Sequence, residues 1–552
     1  FIISIALICA PLSAESVLDL WDIDSITDPS WMDVETLWTA DGGIINPLGY
    51  EFIPLKTGEI MFSSFGGDSG TLRIQAFFAY PSSGTDLTGL VVNHGIIMDG
   101  ELEMAQTFAA GLNCFALAIS APGHGASTGG SAYNFENLIR SYPDPRNNHF
   151  YQFAYATMRG ITYMESLPVV NPDWMGATGF SGGANAAIIA SAVDERVSLS
   201  FPIIPQNNFA CGANAGGWIL DVFLETGIDP DDSNVIYLQE YIAPINYFPH
   251  VHGFTTMICA SQDEFEPLGC VASAFPLLDA DRSRLDIVAN FDHHCYFTPY
   301  AYTGDWDSWD NSPTFYSKIL GISNSVINLR RLGWDVPHMP TVTASIVGDS
   351  VEFVASVPPD YWASDDVKLW FSVDSAWSFN YVRMNNTLLS PGTFRAKLPA
   401  DRLHSLPNII YFVEARSTPI FWLSSLPYVP EGMVYRLRPF PRVFFGLGIE
   451  EKQALPEQIS IFAHPNPFNG NCRLLIDDLG LGIEAIEIFD IAGRRVANLG
   501  EREEASPSST TRQFLWTPPQ YLPSGVYLVR AQMPADKGLQ ALAPTQKVVY
   551  LK

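Results

Sequence analysis

A serine framed by glycines, Gly179-Phe180-Ser181-Gly182-Gly183, follows the apolar run WMGAT and precedes the small-residue run GGANAAIIASA. Read as strand, sharp turn and helix, this turn has no room for side chains at positions 179 and 183. It lifts the Ser181 hydroxyl above the end of a sheet. The helix N-terminus behind it favours negative charge developing there. These features suit a nucleophile. A serine hydroxyl needs a general base, and the base needs an orienting acid; in this strand–turn–helix setting the acid and then the histidine follow the serine along the chain.

Candidates occur in that order. Ser261-Gln262-Asp263-Glu264-Phe265-Glu266-Pro267 follows the apolar run GFTTMICA. Its carboxylates therefore stand past the C-terminal end of a strand, where open α/β sheets gather functional groups. Asp263 comes first and is the preferred acid, with Glu264 and Glu266 as alternates. Phe291-Asp292-His293-His294 follows RLDIVAN. Either histidine could serve as base, and His293 is preferred over His294 because it follows the strand by the shorter loop. Acyl transfer also needs donors for an oxyanion. Backbone amides just past the strand GLVVNH should face the serine turn, so the N–H groups of Ile96 and Gly182 are the expected pair. His94 reads as a ring that shapes this loop rather than as a second base. The cysteines have no zinc-like spacing, and this chemistry calls for neither a metal nor a cofactor.

The elements that must position these groups are legible as alternating patterns. From about residue 86, short apolar strands (GLVVNH, NCFALAIS, WMGATGF, VSLSFPII, FTTMICA, RLDIVAN) alternate with helical stretches. That alternation implies a parallel, helix-covered, doubly wound sheet. Tyr151–Ser166 places Phe153, Ala156, Gly160, Ile161 and Met164 on one helical face. In Thr71–Tyr80, Leu72, Ile74, Ala76 and Phe78 share one face of a half-buried strand. Residues 15–85 form a β extension of the catalytic domain, which spans 86–338. Residues 339–447 carry strand-like runs separated by Pro, Gly, Asp and Asn, the pattern of a β-sandwich. After the linker EEKQALPEQ, residues 456–552 again read as all-β, giving two Ig-like sandwiches after the α/β domain.

The chain has 552 residues, too many for one core, and 59 acidic against 30 basic side chains give a net charge of −29. Such a surface repels nucleic acid and anionic lipid, so neither is expected as a partner. FIISIALICAPLSAES at the start has the apolar run and small-residue end of an export signal, with cleavage expected after Ala14. No other stretch is apolar enough to span a membrane. Export permits disulfides, although Cys114 and Cys259 sit inside apolar runs as buried thiols would. Pairing among Cys114, Cys211, Cys259, Cys270, Cys295 and Cys472 is open.

Residues 86–335 resemble the secreted α/β-hydrolases of the acetyl xylan esterase, dienelactone hydrolase and prolyl-oligopeptidase-like group. The matching pieces are His94-Gly95, Ala121-Pro122-Gly123-His124-Gly125-Ala126-Ser127, Met158-Arg159-Gly160-Ile161, the Ser181 turn, Asp194-Glu195-Arg196-Val197, the Asp263 loop and Asp292-His293. The resemblance implies the α/β-hydrolase fold and a Ser-Asp-His triad. Two departures bear on substrate: Ser120 stands where many relatives carry an acid, and Gly182 where many carry Gln or Met. The tail resembles the C-terminal sorting domain of type IX secretion cargo. His464-Pro465-Asn466-Pro467-Phe468-Asn469, IEIFDIAGRRV and Pro523-Ser524-Gly525-Val526-Tyr527 carry that likeness. It implies a bacterial protein exported through the periplasm to the surface or medium, with residues 456–552 meeting the outer-membrane secretion machinery.

The leading expectation is hydrolysis of carboxylic esters, with acetyl or sugar esters suggested by the resemblance and by export. A serine peptidase on the same fold is the first rival. It needs a group to anchor a peptide amine, for which Glu101, Glu103 or the stretch 213–250 are the candidates. A non-catalytic surface-binding protein is the second rival, and an intact serine, acid and histidine in order argue against it.

Overall fold

Apolar runs buried on both faces make the centre of the molecule. In the computed structural model, β1 (Glu35–Ile45), β2 (Phe52–Phe65), β3 (Thr71–Pro81), β4 (Leu87–Asn93), β5 (Phe115–Ile119), β6 (Val170–Phe180), β7 (Val197–Ile203), β8 (Phe254–Ala260) and β9 (Ser283–Val288) form one sheet. Their order is β1-β2-β3-β5-β4-β6-β7-β8-β9. Pairing is parallel from β5 across to β9 and antiparallel through β1, β2, β3 and β5. The described residues are 17–229, 231–295 and 315–433 except 360–365, 374, 377–378, 387–390, 404–408 and 419–420, then 435, 437 and the strands of 460–550 with a few neighbours. The signal-like segment 1–14 and residues 465–469 of the tail motif lie outside them.

The sheet is the mostly parallel, doubly wound α/β-hydrolase arrangement. Ten helices flank it among the described residues: α1 (Ile23–Thr27), α2 (Leu102–Leu112), α3 (Phe135–Ile139), α4 (His149–Glu165), α5 (Gly182–Val193), α6 (Phe209–Asn214), α7 (Trp218–Thr226), α8 (Ser233–Tyr237), α9 (Leu268–Ala274) and α10 (Phe315–Arg331). Period-two alternation assigns the two faces. Phe115, Leu117 and Ile119 of β5 pack with α4 and α5, and Ala116 and Ala118 pack with α2 and α10. Leu72, Ile74, Ala76 and Phe78 of β3 all face one core, as their spacing implied.

Helix α4 departs from its one-sided reading, because it is buried nearly all round. The residues before β1 cover its outer face. The buried Arg159 guanidinium donates to the carbonyls of Ile26 and Asp28, both at 2.7 Å. Trp21 stacks on Tyr151 at 4.1 Å between ring centroids. A buried cation here satisfies backbone carbonyls that would otherwise be orphaned.

Strands β10 (Thr341–Val347), β11 (Ser350–Ser356), β12 (Val367–Ser372), β13 (Asn380–Arg383), β14 (Asn385–Asn386), β15 (Thr393–Pro399), β16 (Ile410–Thr418) and β17 (Phe421–Ser424) form two facing sheets, β10-β11-β15-β14 and β13-β12-β16-β17. Phe353 and Tyr411 meet edge to face between them at 5.1 Å. This sandwich belongs to the same compact unit as the α/β sheet, which runs to Phe445. The joint is chemical as well as steric. Strand β9 is the last in its sheet, and its open edge is a liability unless covered. Ser424 of β17 covers it, accepting the Ile287 N–H at 2.9 Å. Below it, Lys318 of α10 pairs with Glu414 of β16 and lies 3.9 Å from Asp286 of β9. Glu414 also accepts from Trp370 Nε1 at 3.0 Å. The Arg284 guanidinium donates to the carbonyls of Val336 and Pro337 in the connecting segment.

The second unit, from Gly446, holds β18 (Ser460–His464), β19 (Cys472–Asp477), β20 (Ala485–Asp490), β21 (Arg495–Gly500), β22 (Thr511–Trp516), β23 (Gly525–Gln532) and β24 (Thr545–Tyr550). Its sheets are β18-β19-β22 and β21-β20-β23-β24, closed on a core of Leu474, Ile486, Ile488, Trp516, Tyr527 and Val529. Among the described residues no helix is long and apolar enough to cross a membrane.

The ion cluster makes the joint testable. Glu414→Ala removes the nearer of the two carboxylates on Lys318, leaving Asp286 at 3.9 Å, takes away the acceptor of Trp370 Nε1 and removes a charge 4.0 Å from Lys368. Breaking a buried pair from one side costs about 3 kcal/mol or more. In urea unfolding, the α/β sheet and first sandwich are expected to melt in one transition that this variant weakens by that amount. Two separable transitions, with only one of them moved, would contradict the shared unit.

Candidate active site

Ser181 sits between β6 and α5 with φ 53° and ψ −119°, a conformation L-residues rarely adopt. Its neighbours leave no alternative. A side chain at Gly179 would press on the Gly183 backbone at 2.6 Å, and one at Gly183 would strike the His94 carbonyl and Asn93. The Ser181 N–H is fixed to the Ile203 carbonyl of β7 at 2.9 Å, so the strained turn is pinned to the sheet.

The three loops past β6, β8 and β9 converge. Ser181 Oγ stands 2.8 Å from His293 Nε2, and His293 Nδ1 stands 2.8 Å from Asp263 Oδ1. Asp263 Oδ1 also accepts the N–H groups of Phe265 at 2.8 Å and Glu266 at 3.1 Å, which fix the carboxylate in place. With Nδ1–H donated to the acid, Nε2 is left as the acceptor for the serine proton. All three side chains are buried.

The alternates take other positions. His294 turns away from Ser181 and pairs with Glu264 Oε1 at 3.3 Å, and this carboxylate holds its imidazole above the ordinary value despite burial. Glu264 Oε2 accepts the backbone N–H of His293 at 3.1 Å. Although burial opposes it, the bonds to His294 and His293 keep the Glu264 carboxyl below its usual range. Glu266 is enclosed behind Asp263, and burial followed by the Asp263 charge pushes its carboxyl well up, toward the neutral acid. Glu264 thus braces the histidine loop, a role its position in the sequence does not reveal.

Ile96 and Gly182 lie against each other beside Ser181. Gly182 is the first residue of α5, so its N–H has no carbonyl within the helix to bond. A side chain at position 182 would run into Cγ2 of Ile96 and press on Phe150 at 3.1 Å. This explains glycine there: Ile96 already fills the space. The loop that carries Ile96 is set by His94. Its Nε2 accepts from the Ala121 N–H at 2.8 Å and its Nδ1–H donates to the Gly95 carbonyl at 2.6 Å. His124 lies 5.1 Å from His94 and 5.7 Å from His149, making a buried group of three rings under the loop that carries Ile96. At the other end of that loop Ser120 Oγ accepts the Gly100 N–H at 3.1 Å.

The stretch 213–250 reaches the site through stacking. Trp218 lies on Phe265 at 4.7 Å, and Phe265 lies on the His293 ring at 3.7 Å with planes 7° apart. A disulfide, Cys211–Cys270, joins α6 to α9, which follows the acid loop. Cys114 and Cys259 are buried free thiols. Glu101 and Glu103 are exposed at the start of α2.

Burial pulls both His94 and His149 down to about 3. The ordinary value is about 6.5, so the unfolded chain takes up these protons first as pH falls. The contribution of these two rings to stability is therefore full above about pH 6.5 and is lost progressively toward pH 3. His124, between them, is lowered by burial as well, and His149→Phe removes the contribution of His149 alone. Denaturant titrations at pH 7 and pH 5 should show the stability loss between those values shrink by about 2 kcal/mol. An unchanged difference would contradict neutral burial of His149.

No family model matches the chain, and no curated protein matches it. Among solved structures it is similar to an acetyl xylan esterase from Paenibacillus sp. R4, at 19% identity over 51% of this chain and 91% of that one, TM-score 0.41. It is also similar to acetyl xylan esterase 1 from Thermoanaerobacterium sp. JW/SL YS485, at 17% identity over 54% and 92%, TM-score 0.40. A third is ferulic-acid-bound Est1E from Butyrivibrio proteoclasticus, at 14% identity over 48% and 95%, TM-score 0.33.

Proposed function

We infer that this chain is an exported serine hydrolase that cleaves carboxylic esters. The observation that carries the reading is the unbroken hydrogen-bond line from Ser181 through His293 to Asp263, with both contacts at 2.8 Å. Ser181 Oγ attacks the ester carbonyl while His293 Nε2 takes its proton. Asp263 holds the ring and stabilises the imidazolium. The oxyanion forms toward the N–H groups of Ile96 and Gly182. His293 then returns the proton to the departing alcohol, and water cleaves the acyl-enzyme by the same steps.

Esters are preferred to peptides in this reading. Within the acid loop Glu264 is engaged by the histidine loop and Glu266 is held toward its neutral form. This leaves the exposed Glu101 and Glu103 and the stretch 213–250 as the candidate amine anchors that the comparison of ester and amide rates tests. Acetyl is the acyl group that the sequence resemblance suggests. The sugar or polymer character of the alcohol rests on the sequence resemblance. Export is part of the same reading. The signal-like start, the Cys211–Cys270 disulfide and the sorting-domain-like tail at 456–552 support it.

A fluorophosphonate probe is expected to label Ser181, and Ser181→Ala to abolish labelling without loss of fold. The enzyme should hydrolyse p-nitrophenyl acetate with a kcat/KM about a hundredfold or more above that for dipeptidyl amides, roughly 2.7 kcal/mol of transition-state binding. Comparable rates on both classes would transfer the assignment to a peptidase, and a folded but unlabelled wild type would overturn the hydrolase reading.

A further inference from the structure

We propose that the first sandwich is a positioning element of the active site, acting on His293 through Asn290; the inference rests on the serine hydrolase reading above. Asn290 is fully buried between the end of β9 and the histidine, with φ 61°. Its backbone N–H donates to Ser261 Oγ at 2.8 Å, two residues before Asp263. Its side chain crosses to the sandwich. Nδ2 donates to the Phe379 carbonyl, and Oδ1 accepts the Phe379 N–H, both at 2.8 Å. An amide that bonds one residue's backbone in both directions reproduces a rung of a β-ladder, which fixes orientation as well as distance.

The sandwich side of this rung is buried and packed. Phe379 immediately precedes β13, is buried, and packs on Phe412 of β16 at 5.8 Å. Other anchors of the sandwich fall on the same few residues. Ser424 holds Ile287, and Lys318 with Glu414 holds Asp286. Val429 and Tyr435, past β17, lie against Gly269 at the start of α9, just beyond the acid loop. The sandwich therefore grips β9, the turn that carries His293 and the helix that follows Asp263. A module that only captured polymer would need none of these contacts.

A triad depends on sub-ångström placement, and a shift of about 1 Å can lower turnover about a hundredfold. The decisive variant is Asn290→Gly, which tolerates the positive φ but removes both bonds to Phe379. Active sites are first counted by fluorophosphonate titration to completion. Turnover of p-nitrophenyl acetate is then expressed per titrated site. Asn290→Gly is expected to lower kcat per site by about 10- to 100-fold, with KM changed by less than about twofold. Ser424→Ala, which removes the sandwich's grip on Ile287, should give the same kcat-only loss at about two- to fivefold and serves if the first variant does not fold. If the wild type titrates and the folded variants keep kcat per site, even with a lowered melting temperature, Asn290 is merely structural and the inference is overturned. If the wild type itself does not titrate, the serine hydrolase reading fails, and this inference with it.

Discussion

The imidazole of His293 has to meet Ser181 on one ring nitrogen and Asp263 on the other, each at 2.8 Å, although the three groups arrive on separate loops. A five-membered ring is rigid, so neither contact can be gained by relaxing the other. Most of the unusual features of this molecule serve that geometry. Parallel strands β6, β8 and β9 bring the three loops to one edge of the sheet. The strained backbone of Ser181 aims its hydroxyl, and Asp263 is locked by two amides of its own loop. Phe265 lies on one face of the His293 ring, and Trp218 lies on Phe265 in turn. Glu264 holds the histidine's own N–H.

Charge is handled by burial and pairing throughout this region. Buried polar groups are tolerable only when bonded or neutral. His94 is neutral and bonded on both ring nitrogens, so it shapes the loop that carries Ile96. Glu264 and His294 satisfy each other, and Glu266 is driven toward its neutral form. The acid loop thus carries three carboxylates in four positions, and Asp263 is the one bonded to the His293 ring.

What could be read from the sequence was what local sterics and burial dictate. Gly179 and Gly183 announce the turn at Ser181 because no other residue fits there. Strands β4 and β8 read as short, mostly apolar runs, and every residue in them is buried. Sequence alone does not separate His293 from His294, since adjacent residues share a loop and differ in direction alone. The brace from Glu264 was invisible, because a loop acid looks the same whether it points at Ser181 or at a backbone amide. Helix α4 looks one-sided in the sequence because the cover over its outer face comes from residues 17–31, far away in the chain. The rung between Asn290 and Phe379 joins residues 89 apart and ends on backbone atoms, which no side-chain pattern can signal.

The central claim, that this geometry makes Ser181 a nucleophile, is met most directly by trapping the acyl-enzyme. The wild-type protein would be mixed with p-nitrophenyl acetate, quenched in acid during the first turnovers and digested for peptide mass mapping. The account predicts one acetyl group, on the peptide carrying Ser181 and on that side chain. Ester turnover with Ser181 unmodified and the acetyl group on another residue would contradict it.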